Sequence, residues 1–94
     1  MNDLVSVRIV VYGHVQGVFF RDFTTREAIN LGITGYVQNS PSTETVYIQA
    51  EGKRKQLEKL INLLRIGPPA AKVEKILTTW LENTGIYASF SIRY

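Results

Sequence analysis

Ninety-four residues fill one compact domain, expected to span residues 1–94, and leave no room for a second. The absence of cysteine excludes disulfides, thiolate metal sites and cysteine nucleophiles. A 45% hydrophobic share with four Phe, five Tyr and one Trp excludes a disordered chain, and a formal charge of +3 from scattered basic residues singles out no anionic partner.

In chain order, Met1-Asn2-Asp3-Leu4 is too polar for a signal peptide. No apolar run approaches the ~20 residues of a bilayer span, so a soluble, cytoplasmic protein is expected. Val5, Val7, Ile9 and Val11 then alternate with Ser6, Arg8, Val10 and Tyr12, the period of a strand. Residues 13–20 hold two glycines and no steady period, and read as a loop. Residues 21–31 favour a helix with Phe20, Phe23, Ala28 and Leu31 on one face and Gly32 as its carboxyl-terminal cap.

A short strand is expected over residues 34–39, followed by the turn cluster Ser40-Pro41-Ser42-Thr43. Val46, Ile48 and Ala50 mark a third strand that pairs back as a hairpin and stops near Gly52. The second helix is expected over residues 53–66, because Leu57, Leu60, Ile61 and Leu64 recur at helical spacing before Gly67-Pro68-Pro69. A fourth strand follows over residues 73–81. After Asn83-Thr84-Gly85, the alternation of Ala88, Phe90, Ile92 and Tyr94 marks a last strand. The order predicts an α+β fold: a ferredoxin-like βαββαβ sandwich with an additional C-terminal strand, two helices covering one face of a mostly antiparallel sheet. Such a fold hosts many activities and does not itself name one.

The chemistry concentrates in Gly13-His14-Val15-Gln16-Gly17-Val18-Phe19-Phe20-Arg21, which joins the first strand to the first helix. A loop in that position can aim several backbone N–H groups at one anion, with the helix dipole adding positive potential. Gly13 and Gly17 let the backbone bend closely around it, and Arg21 brings a planar fork of donors suited to phosphate. By spacing alone an ordinary turn is the commoner reading, since the Gly-Lys-Ser/Thr ending of a nucleotide-binding loop is missing.

The segment from Gly13 to Arg21 resembles the acylphosphatase signature Gly-x-Val-Gln-Gly-Val-x-Phe-Arg residue for residue. A second signature of that family is matched by Gly32-Ile33-Thr34-Gly35-Tyr36-Val37-Gln38-Asn39, and shorter matches occur at Ala50-Glu51-Gly52 and Gly67-Pro68-Pro69-Ala70. The resemblance implies an acylphosphatase, which splits acyl phosphates into carboxylate and inorganic phosphate without metal or cofactor. It implies that Arg21 binds the substrate phosphate together with backbone N–H groups of Val15, Gln16, Gly17, Val18, Phe19 and Phe20, and that Asn39 positions the attacking water. It further implies a small-molecule partner. A monomer is the default expectation, although exposed edge strands can pair, and neither nucleic acid nor membrane is expected as a partner. One departure stands out. The family usually follows this asparagine with a tight Asp-Gly turn, whereas here Ser40-Pro41-Ser42-Thr43-Glu44 intervenes without Asp-Gly, a stretch read as one residue longer.

Other residues receive plainer readings. Asn39 before a turn also suits a purely local backbone role. His14, the single histidine, is expected as an exposed loop side chain rather than a base or a ligand. Phe19, Phe20 and Phe23 are expected to anchor loop and helix to the core, and Lys53, Arg54, Lys55 and Lys59 to form a solvated face. Trp80 and the tyrosines suit strand packing. Two alternatives stay in view: a domain that binds acyl or carbamoyl phosphate without turnover, and an RNA-binding ferredoxin-like module. The latter lacks its aromatic signature, since Val46-Tyr47-Ile48-Gln49 offers one ring.

Overall fold

The alternating and helical periods both translate into structure. A computed structural model describes residues 3–42 and 44–94; Met1 and Asn2 of the polar terminus and Thr43 of the expected turn lie outside the described residues. The elements are β1 (Leu4–His14), α1 (Phe20–Asn30), β2 (Thr34–Asn39), β3 (Thr45–Lys53), α2 (Arg54–Ile66), β4 (Lys72–Glu82) and β5 (Phe90–Arg93). They form one five-stranded sheet in the order β4-β1-β3-β2-β5. All pairings are antiparallel except β2 with β5.

Val7, Ile9 and Val11 of β1 and Val46, Ile48 and Ala50 of β3 supply the buried centre of the sheet, against Leu57, Leu60, Ile61 and Leu64 of α2. Helix α1 buries Phe20, Thr24 and Ala28, while Phe23 and Leu31 are only partly covered. Thr24 is polar and still tolerated, because its Oγ1 donates to the Phe20 carbonyl at 2.9 Å. As expected, Lys53, Arg54, Lys55 and Lys59 are exposed. Arg54 also lies over the Trp80 ring at 4.0 Å, joining the start of α2 to β4.

Two expectations need correction. The last strand is shorter than its alternation suggests, with Ala88 and Tyr94 outside it and both exposed. Alternation registers which faces differ, but pairing needs a partner, and β5 pairs only along Gly35–Gln38 of β2. Phe19 is no core anchor either: it is 81% exposed, whereas Phe20 is 1% exposed.

The chain must cross from β4 at one edge of the sheet to β5 at the other, and Glu51 on central β3 fastens that crossing. Glu51 is 3% exposed. Its carboxylate accepts from Thr84 N–H at 2.9 Å, Thr84 Oγ1 at 2.7 Å and Gly85 N–H at 3.0 Å. Burial by itself pushes this carboxyl up, but the bonds from Thr84, Gly85 and Ser6 outweigh it and hold the group below the usual glutamate range. A depressed folded-state value stabilises the fold above the ordinary value of about 4.3, and that stabilisation disappears as pH falls through the lower value. Glu51→Gln is therefore expected to cost about 2 kcal/mol at neutral pH and to flatten the acid limb of a stability–pH profile. Denaturant unfolding from pH 7 to pH 3 checks this, and an unchanged profile would contradict it.

Candidate active site

Strand β1 delivers the signature loop beside the amino terminus of α1. At its end the register with β4 slips between Tyr12 and Gly13, a bulge that bends the strand toward the loop. Gly13 has φ 136°, and a Cβ there would overlap the carbonyl oxygen of Lys72. The close approach of β4 is thus enough to demand glycine here. Gly17 is different: at φ 72° a Cβ would meet no protein atom within 4 Å, so what the fold itself asks of glycine here is the left-handed backbone. His14 is exposed, as expected.

Val15 and Val18 are buried and pin the loop to the core. Phe19 then adopts φ 62°, ψ 24° and is followed directly by helical Phe20. A left-handed residue next to right-handed ones turns successive N–H groups to the same side, forming an anion-binding concavity. Phe19 supplies no side-chain cap to α1, and the first intrahelical bond runs from Phe23 N–H to the Phe19 carbonyl at 2.9 Å. The N–H groups of the first turn thus keep their capacity for a ligand.

Arg21, the second residue of α1, and Asn39, the last of β2, line one cleft of about 570 Å³ with Val15, Gly17, Phe19 and Phe20. The Arg21 guanidinium carbon lies 5.0 Å from the centre of the Tyr94 ring. Asn39 Oδ1 is buried and has no hydrogen-bond partner among the described residues. Buried acceptors are rarely left so. Asn39 itself lines the cleft, and an amide whose oxygen has no partner has capacity left for a water there.

Of the loop residues expected to form the cradle, Gln16 and Val18 do not line the cleft. Val18 packs inward. Gln16 instead reaches the unusual turn after Asn39, its Nε2 lying 2.6 Å from the Ser42 carbonyl, 2.8 Å from that of Thr45 and 3.3 Å from that of Ser40. Ser40 Oγ donates to the Ser42 carbonyl at 2.8 Å, and Gly13 N–H to the Glu44 carbonyl at 3.0 Å. The longer hairpin is thereby tied to the signature loop on both sides of Thr43. Gln16→Ala is expected to lower stability by about 1–2 kcal/mol, and Gln16→Glu by more, because a carboxylate only accepts and would face carbonyl oxygens. Denaturant titration of the two variants checks the order; equal stability to wild type would contradict it.

Three cleft residues escape a motif search: Asp22, Ile92 and Tyr94. Asp22 pairs with Arg26 at 3.2 Å on the surface, which offsets its negative charge beside an anion site. Ile92 and Tyr94 arrive because β5 runs parallel to β2, placing Ile92 opposite Val37. Their alternation with Phe90 hints at an inward-facing side, but nothing in sequence tells which edge the last strand joins.

Residues 7–92 match the family model described as Acylphosphatase. This chain belongs to the acylphosphatase family. An acylphosphatase from Dehalococcoides mccartyi is 46% identical over 88 residues, covering 94% of this chain and 97% of that one. One from Caldivirga maquilingensis is 44% identical over 94 residues, covering 100% and 99%. The crystal structure of acylphosphatase from Bacillus subtilis superposes with a TM-score of 0.91 at 36% identity, covering 96% of this chain and 99% of that chain. Acylphosphatase relatives of this identity, matched over nearly their whole length, make the chain an enzyme that hydrolyses acyl phosphates to carboxylate and inorganic phosphate. They agree with the ferredoxin-like arrangement of two helices on a mixed sheet.

Proposed function

We propose that Arg21 and backbone N–H groups of Val15, Gly17, Phe19 and Phe20, the loop residues that line the cleft, hold the phosphoryl group of a small acyl phosphate, while Asn39 orients the water that attacks it. The observation that carries this reading is the convergence of Arg21 and Asn39 on one cleft, with Asn39 Oδ1 left without a partner among the described residues. Oδ1 accepts a hydrogen bond from the water and fixes its oxygen toward phosphorus, while the proton in that bond stays on the water oxygen. The water oxygen bonds to phosphorus as the bond from phosphorus to the acyl oxygen breaks, and that electron pair leaves on the carboxylate. The water's second proton passes to the phosphate oxygens or to solvent.

A carboxylate is a weak base and departs without a strong general acid, so the work is positioning and charge stabilisation. Arg21 and the loop N–H groups serve the charge spread over the phosphoryl oxygens. The chemistry calls for no metal or cofactor. Among the described residues no group of three His, Cys, Asp or Glu side chains is placed to hold a metal ion. No helix among them is long and apolar enough to cross a membrane. Residues 1–94 acting as one monomeric domain in the cytoplasm complete the reading.

The test is hydrolysis of benzoyl phosphate followed by ultraviolet absorbance, with and without EDTA. Turnover unaffected by chelator is expected. A folded protein that binds inorganic phosphate yet turns nothing over, or one that needs added metal, would refute the proposal.

A further inference from the structure

Asn39 stands on the last rung of the β2–β3 hairpin, opposite Val46. A tight Asp-Gly turn would fix the end of such a hairpin by its own geometry. This chain connects the two strands through residues 40–44 and has no Asp-Gly there. The position of Asn39 therefore depends on contacts from outside the hairpin.

One side chain supplies them. Gln16 Nε2 lies 2.6 Å from the Ser42 carbonyl, 2.8 Å from that of Thr45 and 3.3 Å from that of Ser40, so the two donors of its amide are shared among three acceptors. The Thr45 carbonyl also accepts from Ser40 N–H at 3.1 Å. The amide thus meets the bond that closes the hairpin one residue beyond Asn39. The backbone bond from Gly13 N–H to the Glu44 carbonyl ties only the β3 side of the turn. Gln16 does not line the cleft, but its neighbours Val15 and Gly17 do. Its side chain spans the loop that would hold the phosphoryl group and the strand end that would orient water.

We infer that Gln16 is a positioning residue, whose amide clamps the hairpin end and sets Asn39 at its working distance from the phosphoryl group. This role rests on the one proposed for Asn39 and deepens it. Attack on phosphorus needs water and phosphoryl group held in one geometry, and a shift of about 1 Å between them can cost about 10²-fold in rate. Gln16 affects the rate in this way without touching substrate.

The test is a double-mutant cycle read in kinetics. The kcat for benzoyl phosphate and the Ki for inorganic phosphate are measured in wild type, Gln16→Ala, Gln16→Met, Asn39→Ala and the Gln16→Ala/Asn39→Ala double variant, each below its unfolding temperature. Gln16 is only half-buried, so neither substitution opens the core, and Met keeps the side-chain length while removing both donors. Both Gln16 variants are expected to lower kcat by about 10–100-fold. Their Ki for phosphate should stay within about twofold of wild type, because the groups that hold the phosphoryl oxygens remain. In the Asn39→Ala background, Gln16→Ala should cost less than about twofold more, since a residue that acts through another has nothing left to position. Full kcat in both Gln16 variants overturns the inference, for a merely structural residue would lower stability and leave the rate of folded enzyme alone. A Ki that rises in step with the lost rate, or losses that multiply in the double variant, overturn it too, and each of these leaves the role of Asn39 standing. A full-rate Asn39→Ala enzyme instead overturns the catalytic reading, and the clamp with it.

Discussion

Arg21→Ala is expected to lower kcat/KM for acyl phosphates by at least roughly 10²–10³-fold, the usual effect of removing one well-placed donor to developing charge. Arg21 sits at the start of α1, lines the cleft and has no carboxylate partner among the described residues. Its charge is free to meet substrate. Its one recorded aromatic contact, with Tyr94, is exposed, so its loss should change folding stability by no more than about 1 kcal/mol. Activity and stability thus separate. Arg21→Lys should recover only part of the rate, because an ammonium keeps the charge and loses the planar fork. Steady-state kinetics with a denaturant titration of each variant checks this. A folded Arg21→Ala enzyme at full rate would remove the proposed mechanism.

The second large effect is expected at Asn39. Asn39→Ala should lower kcat by about 10²-fold while inorganic phosphate continues to inhibit, since the phosphoryl-holding groups remain. The stability result is more discriminating. If Asn39 served only its local turn, truncation would remove a satisfied hydrogen bond and destabilise the protein by about 1 kcal/mol. Its Oδ1 is instead buried without a partner among the described residues, so deleting it should leave stability unchanged or slightly raised. Asn39→Asp should be worse for turnover than alanine, because it sets a carboxylate against an anionic substrate. Kinetics, phosphate inhibition and thermal unfolding of both variants decide the matter. A destabilised, fully active Asn39→Ala protein would return this residue to a turn role.

Much of this was legible in the sequence, for reasons that differ by element. The alternation of Val7, Ile9 and Val11 and the helical spacing of Leu57, Leu60, Ile61 and Leu64 record burial directly, because one face of each element must be apolar. Arg21 and Asn39 were legible through two motifs in register, though no spacing rule could show that they meet. What escaped depends on contacts between distant segments. Gly13 yields to the Lys72 carbonyl, a neighbour fifty-nine positions on by residue number. Gln16 bonds the carbonyls of a turn more than twenty positions away. Tyr94 reaches the cleft only because β5 joins β2 rather than another edge. Phe19 was misread for a local reason: hydrophobicity suggested the core, while a left-handed backbone turned the ring outward. The altered turn after Asn39 shows in the sequence only as a departure from the family pattern, and its ties to Gln16 make it an integral part of the site's frame.

The most direct test of water attack on a phosphoryl group held at Arg21 is where the water's oxygen goes. Benzoyl phosphate is hydrolysed by the wild-type enzyme in isotopically labelled water, and both products are analysed by mass spectrometry. Label in inorganic phosphate and none in benzoate is expected, since the water oxygen bonds to phosphorus. Label in benzoate would place the attack on the carbonyl carbon, and would contradict the roles given to Arg21 and Asn39.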